Sequence, residues 1–278
     1  METRSALRQE REEKKQQKEK PVKRRHPAFI IWGTVLLTLL TLSMILNQTI
    51  LNARFAVHEI TTSNLSTTLM DNVNQGLSQY GISSNVISSS ESNKLIKQAV
   101  NQVYSGKEIN LNLQSEVNNV GDSVSQAAAK YGISASIPSS VTSEAGSNIS
   151  NAVNSQLNTP QVKQLTNGIT IAKTVDHIVM IGSLIGLIVM AIMALPGRHL
   201  LGSFSWIGLW GTIIVYALIL GLSAIISQVG AQFPDYSTFT AQLATDFQSQ
   251  AQNIWIVLLI ITIILFLVRI GGRVVKRQ

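Results

Sequence analysis

The sequence predicts an all-α integral membrane protein with four transmembrane helices. A helical extracytoplasmic domain, built from two helical-hairpin repeats, is inserted between the first and second. Three observations predict this. The apolar residues gather into four runs of near-membrane length, the basic residues crowd into some of the joining segments and avoid others, and the long polar stretch between the first two runs repeats itself.

A hydrocarbon core of about 30 Å takes roughly 20 apolar residues in a helix. Phe29–Leu46, Ile178–Leu195, Phe204–Ile226 and Ile254–Val268 are the four runs, and none of their cores carries an ionisable residue. With flanking residues the spans are expected at 28–50, 174–195, 204–227 and 253–270. The first run is longer than the roughly 7–15 residues of a signal-peptide core, and Asn52-Ala53-Arg54-Phe55-Ala56 is a poor cleavage site, so a retained signal anchor is expected.

Direction follows from Lys and Arg. The first 26 residues hold ten Lys/Arg against five Asp/Glu, Arg198 lies in the 196–203 turn, and the end of the chain from Arg269 holds four basic residues. By contrast Asn47–Lys173 has seven of each sign, and Gln228–Asn253 has Asp235 and Asp246 with no basic residue. Residues 1–27 and 271–278 are therefore expected as basic cytoplasmic tails and 196–203 as a cytoplasmic turn. Segments 51–173 and 228–252 are expected outside. Lys23, Arg24 and Arg25 abut the first span, where each can gain about 1 kcal/mol from anionic lipid headgroups. Nucleic acid is not an expected partner, because the basic run lacks aromatics and is half cancelled by Glu.

Within 51–173, Tyr80-Gly81-Ile82-Ser83 recurs as Tyr131-Gly132-Ile133-Ser134, and Ala99-Val100-Asn101 as Ala152-Val153-Asn154. Leu65, Leu69, Val73 and Leu77 lie on one helical face, and Tyr80-Gly81 ends it with a left-handed cap. Ser88 and Glu91 have capping-box spacing before Leu95, Ile96, Ala99, Val100 and Val103. The second copy runs through Val117, Val120, Val124 and Ala128 to Tyr131-Gly132, then from Pro138 through Ile149, Val153 and Leu157. The stripes are narrow and rich in small and β-branched residues, so the core should be thin. Thr159-Pro160 opens a further helix toward the second span, unless Asn167-Gly168 breaks it.

Gly182 and Gly186 in the second span form a GxxxG face on which another helix can pack. Tyr236, Phe239, Leu243 and Phe247 form an amphipathic stripe in 228–252. It would lie on the bilayer surface or pack under the large domain.

Little chemistry is available. The chain has no cysteine, hence no disulfide, thiolate site or Cys nucleophile. It has no Gly-x-Ser-x-Gly elbow, no phosphate loop and no dinucleotide fingerprint. His58-Glu59 and Asp176-His177 are the one set that could gather at a membrane surface as metal ligands. Adjacent helical residues diverge and no His-x-x-x-His spacing supports the set, so polar helix ends explain it and no metal or other cofactor is expected.

The expected function is non-enzymatic. The external domain binds a ligand or protein partner, as a sensor, scaffold or accessory subunit, and the helices sit in the lipid bilayer beside a membrane-protein partner or a second copy. The competing reading is a small transporter, channel or permease subunit, against which the uncharged spans argue. The Cys-free, Ser/Asn-rich exterior points to a bacterial plasma membrane.

Overall fold

The computed structural model describes residues 27–68, 71, 89–130, 138–195, 200–232 and 236–274. Its helices are α1 (Pro27–Gln48), α2 (Ala53–Thr62), α3 (Ser89–Tyr104), α4 (Gln114–Lys130), α5 (Ser139–Leu157), α6 (Pro160–Ala194), α7 (Leu200–Ala231) and α8 (Ser237–Val274). The described residues contain no strand. Four helices, α1, α6, α7 and α8, are long and apolar enough to cross a membrane, so this is a multi-pass membrane protein. Lys23, Arg24, Arg25, the two Tyr-Gly caps and most of the Leu65–Leu77 stripe lie outside the described residues.

The four long helices are packed inside out relative to a soluble bundle. In α1 the buried positions are Gly33, Thr34, Thr38, Thr41, Ser43 and Ile45. Ser183 of α6, Ser205 and Thr212 of α7 and Thr262 of α8 are buried too, while Ile178, Ile188 and Ile192 of α6 and Ile260, Ile264 and Leu267 of α8 are more than half exposed. Lipid is as apolar as leucine, so burying leucine between helices gains nothing there. Small and hydroxylated residues let helices approach and bond instead.

Contacts set the helices level with one another. Gly33 faces Ile207 and Met190, Gly186 faces Leu36, Gly211 faces Leu37, and Gly208 faces Thr262. Helices α7 and α8 run antiparallel through Ser205 Oγ to the Leu265 carbonyl (3.3 Å), Thr212 to Thr262 (3.3 Å) and Ser223 Oγ to the Ala244 carbonyl (3.2 Å). Ile219 and Phe247 share a cluster with Ile45, near the end of α1. The last turns of α7 and the first of α8 therefore stand beyond the level at which α1 ends. The run Phe204–Ile226 is apolar along its length, but its end packs on protein above the other spans.

Segment 228–252 differs from the expected loop. Helix α7 continues to Ala231 and α8 begins at Ser237, running unbroken into the fourth span. Of the two placements open for its stripe, packing against the protein is the one found: Phe247 is fully buried, and Phe239 and Leu243 face the insert. Trp255 donates to the Thr212 carbonyl at 2.9 Å and packs on Tyr216, centroids 4.8 Å apart.

Between α1 and α6 the described residues form α2 to α5 and one longer non-helical segment, 107–113. Helices α4 and α5 pack together, with Gln114 donating to the Thr142 carbonyl at 3.0 Å. Helix α3 ends at a glycine cap. Gly106 has φ +73°, and the Gly106 and Lys107 amides return to the Val103 and Gln102 carbonyls at 3.1 and 2.9 Å. This paired bonding turns the chain out of the helix. Residues 107–113 are then extended, and the alternate residues Ile109, Leu111 and Leu113 enter the insert's core with Leu95, Val103, Val117, Ile149 and Val153.

An extended segment inside a helical unit needs partners for its peptide groups. Helix α5 supplies them from one face. Ile109 N–H donates to Asn158 Oδ1 (2.8 Å), and Asn158 Nδ2 donates back to the Ile109 carbonyl (2.6 Å). Asn154 does the same for Leu111, and Ser150 Oγ accepts from Leu113 N–H (2.9 Å). Two extended residues advance about 6.6 Å and four helical residues about 6 Å, so the two periods match. From the other side Gln102 brackets Asn110, accepting from its N–H at 2.7 Å and donating to its carbonyl at 2.9 Å.

Candidate functional site

Helices α2, α3, α5 and α6, the 107–113 segment and the start of α8 line a half-open cavity of about 700 Å³. Ligand sites run from roughly 300 to 1,000 Å³ and are mostly apolar with a few placed polar groups. This one fits that description. Ile96, Val103, Leu111, Val153, Ile169 and Leu243 represent its walls, and among the described lining residues only Glu59, Tyr104 and Gln156 have polar side chains, none of them lysine or arginine.

Two of its walls are the upper parts of membrane helices. Helix α6 contributes Val162, Leu165 and Ile169, and α8 contributes Phe239 and Leu243. At about 1.5 Å per residue the 35-residue α6 is about 52 Å long, and Asn167-Gly168 does not interrupt it. Thr159 caps its start, Oγ1 accepting from Val162 N–H at 3.3 Å, with Pro160 in the first turn where its missing donor costs nothing.

Tyr104 ties the cavity to the spans. Its hydroxyl donates to the Ile50 carbonyl at 2.8 Å, just past α1. Lys173 Nζ donates to the Tyr104 carbonyl at 2.7 Å and stands 4.9 Å from its ring centre. Burial pushes the Tyr104 phenol above its ordinary pKa.

Glu59 carries the site's charge. It is fully buried where α2 crosses α8. Gln242 Nε2 donates to its Oε2 at 3.4 Å and to Thr62 Oγ1 at 2.9 Å, while Oε1 receives no hydrogen bond from any described donor. Burial first, and then the neighbouring Asp246 carboxylate, raise the Glu59 carboxyl from its usual 4.5 to about 7.

The residues considered as metal ligands go to different partners. Glu59 faces α8, and His58 beside it is exposed. Asp176 faces α1, where Asn47 Nδ2 donates to its Oδ2 and Ser43 Oγ donates to its carbonyl at 3.2 Å, and His177 is exposed. Among the described residues no group of three or more His, Asp or Glu is placed to hold a metal ion. Of the GxxxG pair, Gly186 packs on Leu36 while Gly182 has no neighbour within 4 Å of where its Cβ would be, so half the motif is used within the chain.

Sequence reasoning missed the cavity and the clamp that shapes it. The available signals were Ile109-x-Leu111-x-Leu113, with the period of an extended segment, and Ser150, Asn154 and Asn158 at four-residue spacing. No protein-family model matches this chain, and no curated protein or solved structure matches it either.

Proposed function

We propose that this is a non-enzymatic plasma-membrane protein of a bacterial cell, with both termini cytoplasmic, that binds an apolar ligand in its extracytoplasmic insert and couples occupancy to its membrane helices. The orientation rests on the basic segments at 1–27, 196–203 and 271–278 and their scarcity elsewhere. One observation carries the function: two walls of the cavity are α6 and α8, which continue as single helices into the spans. A ligand that favours one spacing of those walls biases the helices below by its differential affinity for the two arrangements. That is the physical requirement of a sensor or regulatory subunit. The open notch at Gly182 gives a membrane-protein partner, or a second copy, room for close approach.

The test is saturable uptake of an environment-sensitive apolar fluorophore by the purified full-length protein. Ala99 lines the cavity, and Ala99→Phe puts a phenyl ring into it. Uptake near one probe per chain, weakened about tenfold or more by that substitution (about 1.4 kcal/mol), is the expected result. Uptake that Ala99→Phe leaves unchanged, or no uptake, rules the cavity out as the site.

A further inference from the structure

We propose that the cavity's occupant is a single-chain amphiphile, its hydrocarbon chain lying among α3, α5 and α6 and its uncharged or cationic polar end donating a hydrogen bond to Glu59. This rests on reading the cavity as a ligand site and adds the chemical class of what fills it. Three features select the class. The volume of about 700 Å³ suits one chain with a small head, not the two chains and large head of a bilayer phospholipid. The lining is aliphatic and aromatic except at a few points, so most of the ligand is hydrocarbon. Glu59 is fully buried, lines the cavity beside the Asp246 carboxyl, and has one oxygen that no described N–H or hydroxyl group reaches. A purely apolar occupant leaves that oxygen unpaired, whereas a hydroxyl or ammonium group satisfies it.

The same geometry excludes a fatty-acid anion. Its carboxylate would join Glu59 and Asp246 in a region of low polarity, and none of the described lining residues is a cation that could neutralise it. Among the described residues, the charged and titratable groups on this side of the cavity are Asp246 on α8, His58 on α2 itself, and Tyr104 across the cavity on α3, with Lys173 of α6 held against the Tyr104 ring and carbonyl. Gln242 and Thr62 supply only neutral contacts. Specificity here is largely repulsion of the wrong head.

The experiment displaces a bound apolar fluorophore from the full-length protein in phosphatidylcholine nanodiscs at about pH 8.5. Monooleoylglycerol, oleylamine and oleate share one chain and differ in the head. The first two should displace the probe at about tenfold lower concentration than oleate (about 1.4 kcal/mol). Glu59→Gln should shrink that gap to about threefold or less, and Asp246→Asn, which leaves Glu59 in place, should move it the same way. Oleate displacing as well as the other two, or a gap that both substitutions leave intact, overturns the assignment of class. A probe that binds but ignores Ala99→Phe overturns the cavity reading instead, so the two failures are distinguishable.

Discussion

Asn154 on α5 holds the peptide unit of Leu111 from both ends: its Oδ1 accepts from the Leu111 N–H at 2.8 Å, and its Nδ2 donates to the Leu111 carbonyl at 3.0 Å. A side-chain amide here does what a neighbouring strand would do. With Asn158 and Ser150 it keeps Ile109, Leu111 and Leu113 turned into the core, and all three also line the cavity. The abundance of Asn and Ser in the insert is therefore structural at these positions.

Asn154→Ala should destabilise the insert by about 2 kcal/mol, since two backbone groups lose their partners and an unpaired buried group costs about 1–3 kcal/mol. Asn151→Ala, on an exposed position of the same helix, should change stability by less than about 0.5 kcal/mol. Apparent melting temperatures of the two variants in one detergent check this. Equal effects would mean that the clamp contributes nothing beyond helix propensity.

The Glu59 carboxyl makes stability depend on pH in a direction opposite to that of a salt-bridged acid. Its folded pKa is raised from 4.5 to about 7, so the folded state binds the proton more tightly than the unfolded chain. The stabilisation is fully present below about pH 4.5 and disappears as pH rises through about 7, and solvent screening holds it below the roughly 3 kcal/mol that 1.36 kcal/mol per unit would give. Glu59→Gln should flatten the melting temperature between pH 5 and 8 and melt above the unsubstituted protein at pH 8. A parallel pH profile for the two proteins would remove Glu59 as the cause.

Gly106 is the turning point between α3 and the clamped segment. At φ +73° an L side chain is strained by about 1–2 kcal/mol, and an added Cβ would also stand 3.0 Å from Thr170 Oγ1. Gly106→Ala should therefore lower stability by about that amount, and Gly106→Asn by less, because asparagine tolerates the left-handed region. Equal losses in the two variants would point to Thr170 crowding as the dominant cause.

The four spans were legible because membrane length is a one-dimensional signal that survives without knowledge of contacts. Helical continuity from Pro160 into the second span was half legible: the cap and proline announced the start, and Asn167-Gly168 weighed against it only through local propensity, which tertiary context overrides. The level of each span was not legible. That Phe204–Ile226 overshoots depends on Ile219 meeting Ile45, a pairing no local pattern encodes. Adjacency in the chain groups Glu59 with His58, yet adjacency on a helix separates side chains by about 100°. The actual partners of Glu59, Gln242 and Asp246, lie about 180 residues further along the chain.

Gly182 and Gly186 separate packing within the chain from packing against something else. A Cβ at Gly186 would come 2.8 Å from Leu36 Cδ1, so Gly186→Val must push α1 off α6 at a cost of about 1–3 kcal/mol. Gly182 has open space there, so Gly182→Val should leave the monomer's stability within about 0.5 kcal/mol of the unsubstituted value. Size-exclusion in mild detergent adds the second reading. If Gly182→Val melts normally but shifts the protein to a smaller species, the notch is where another helix sits, and α6 then joins the cavity above to a neighbour in the membrane. If species and melting are both unchanged, Gly182 faces lipid, and coupling from the cavity has to run through α8 or α1.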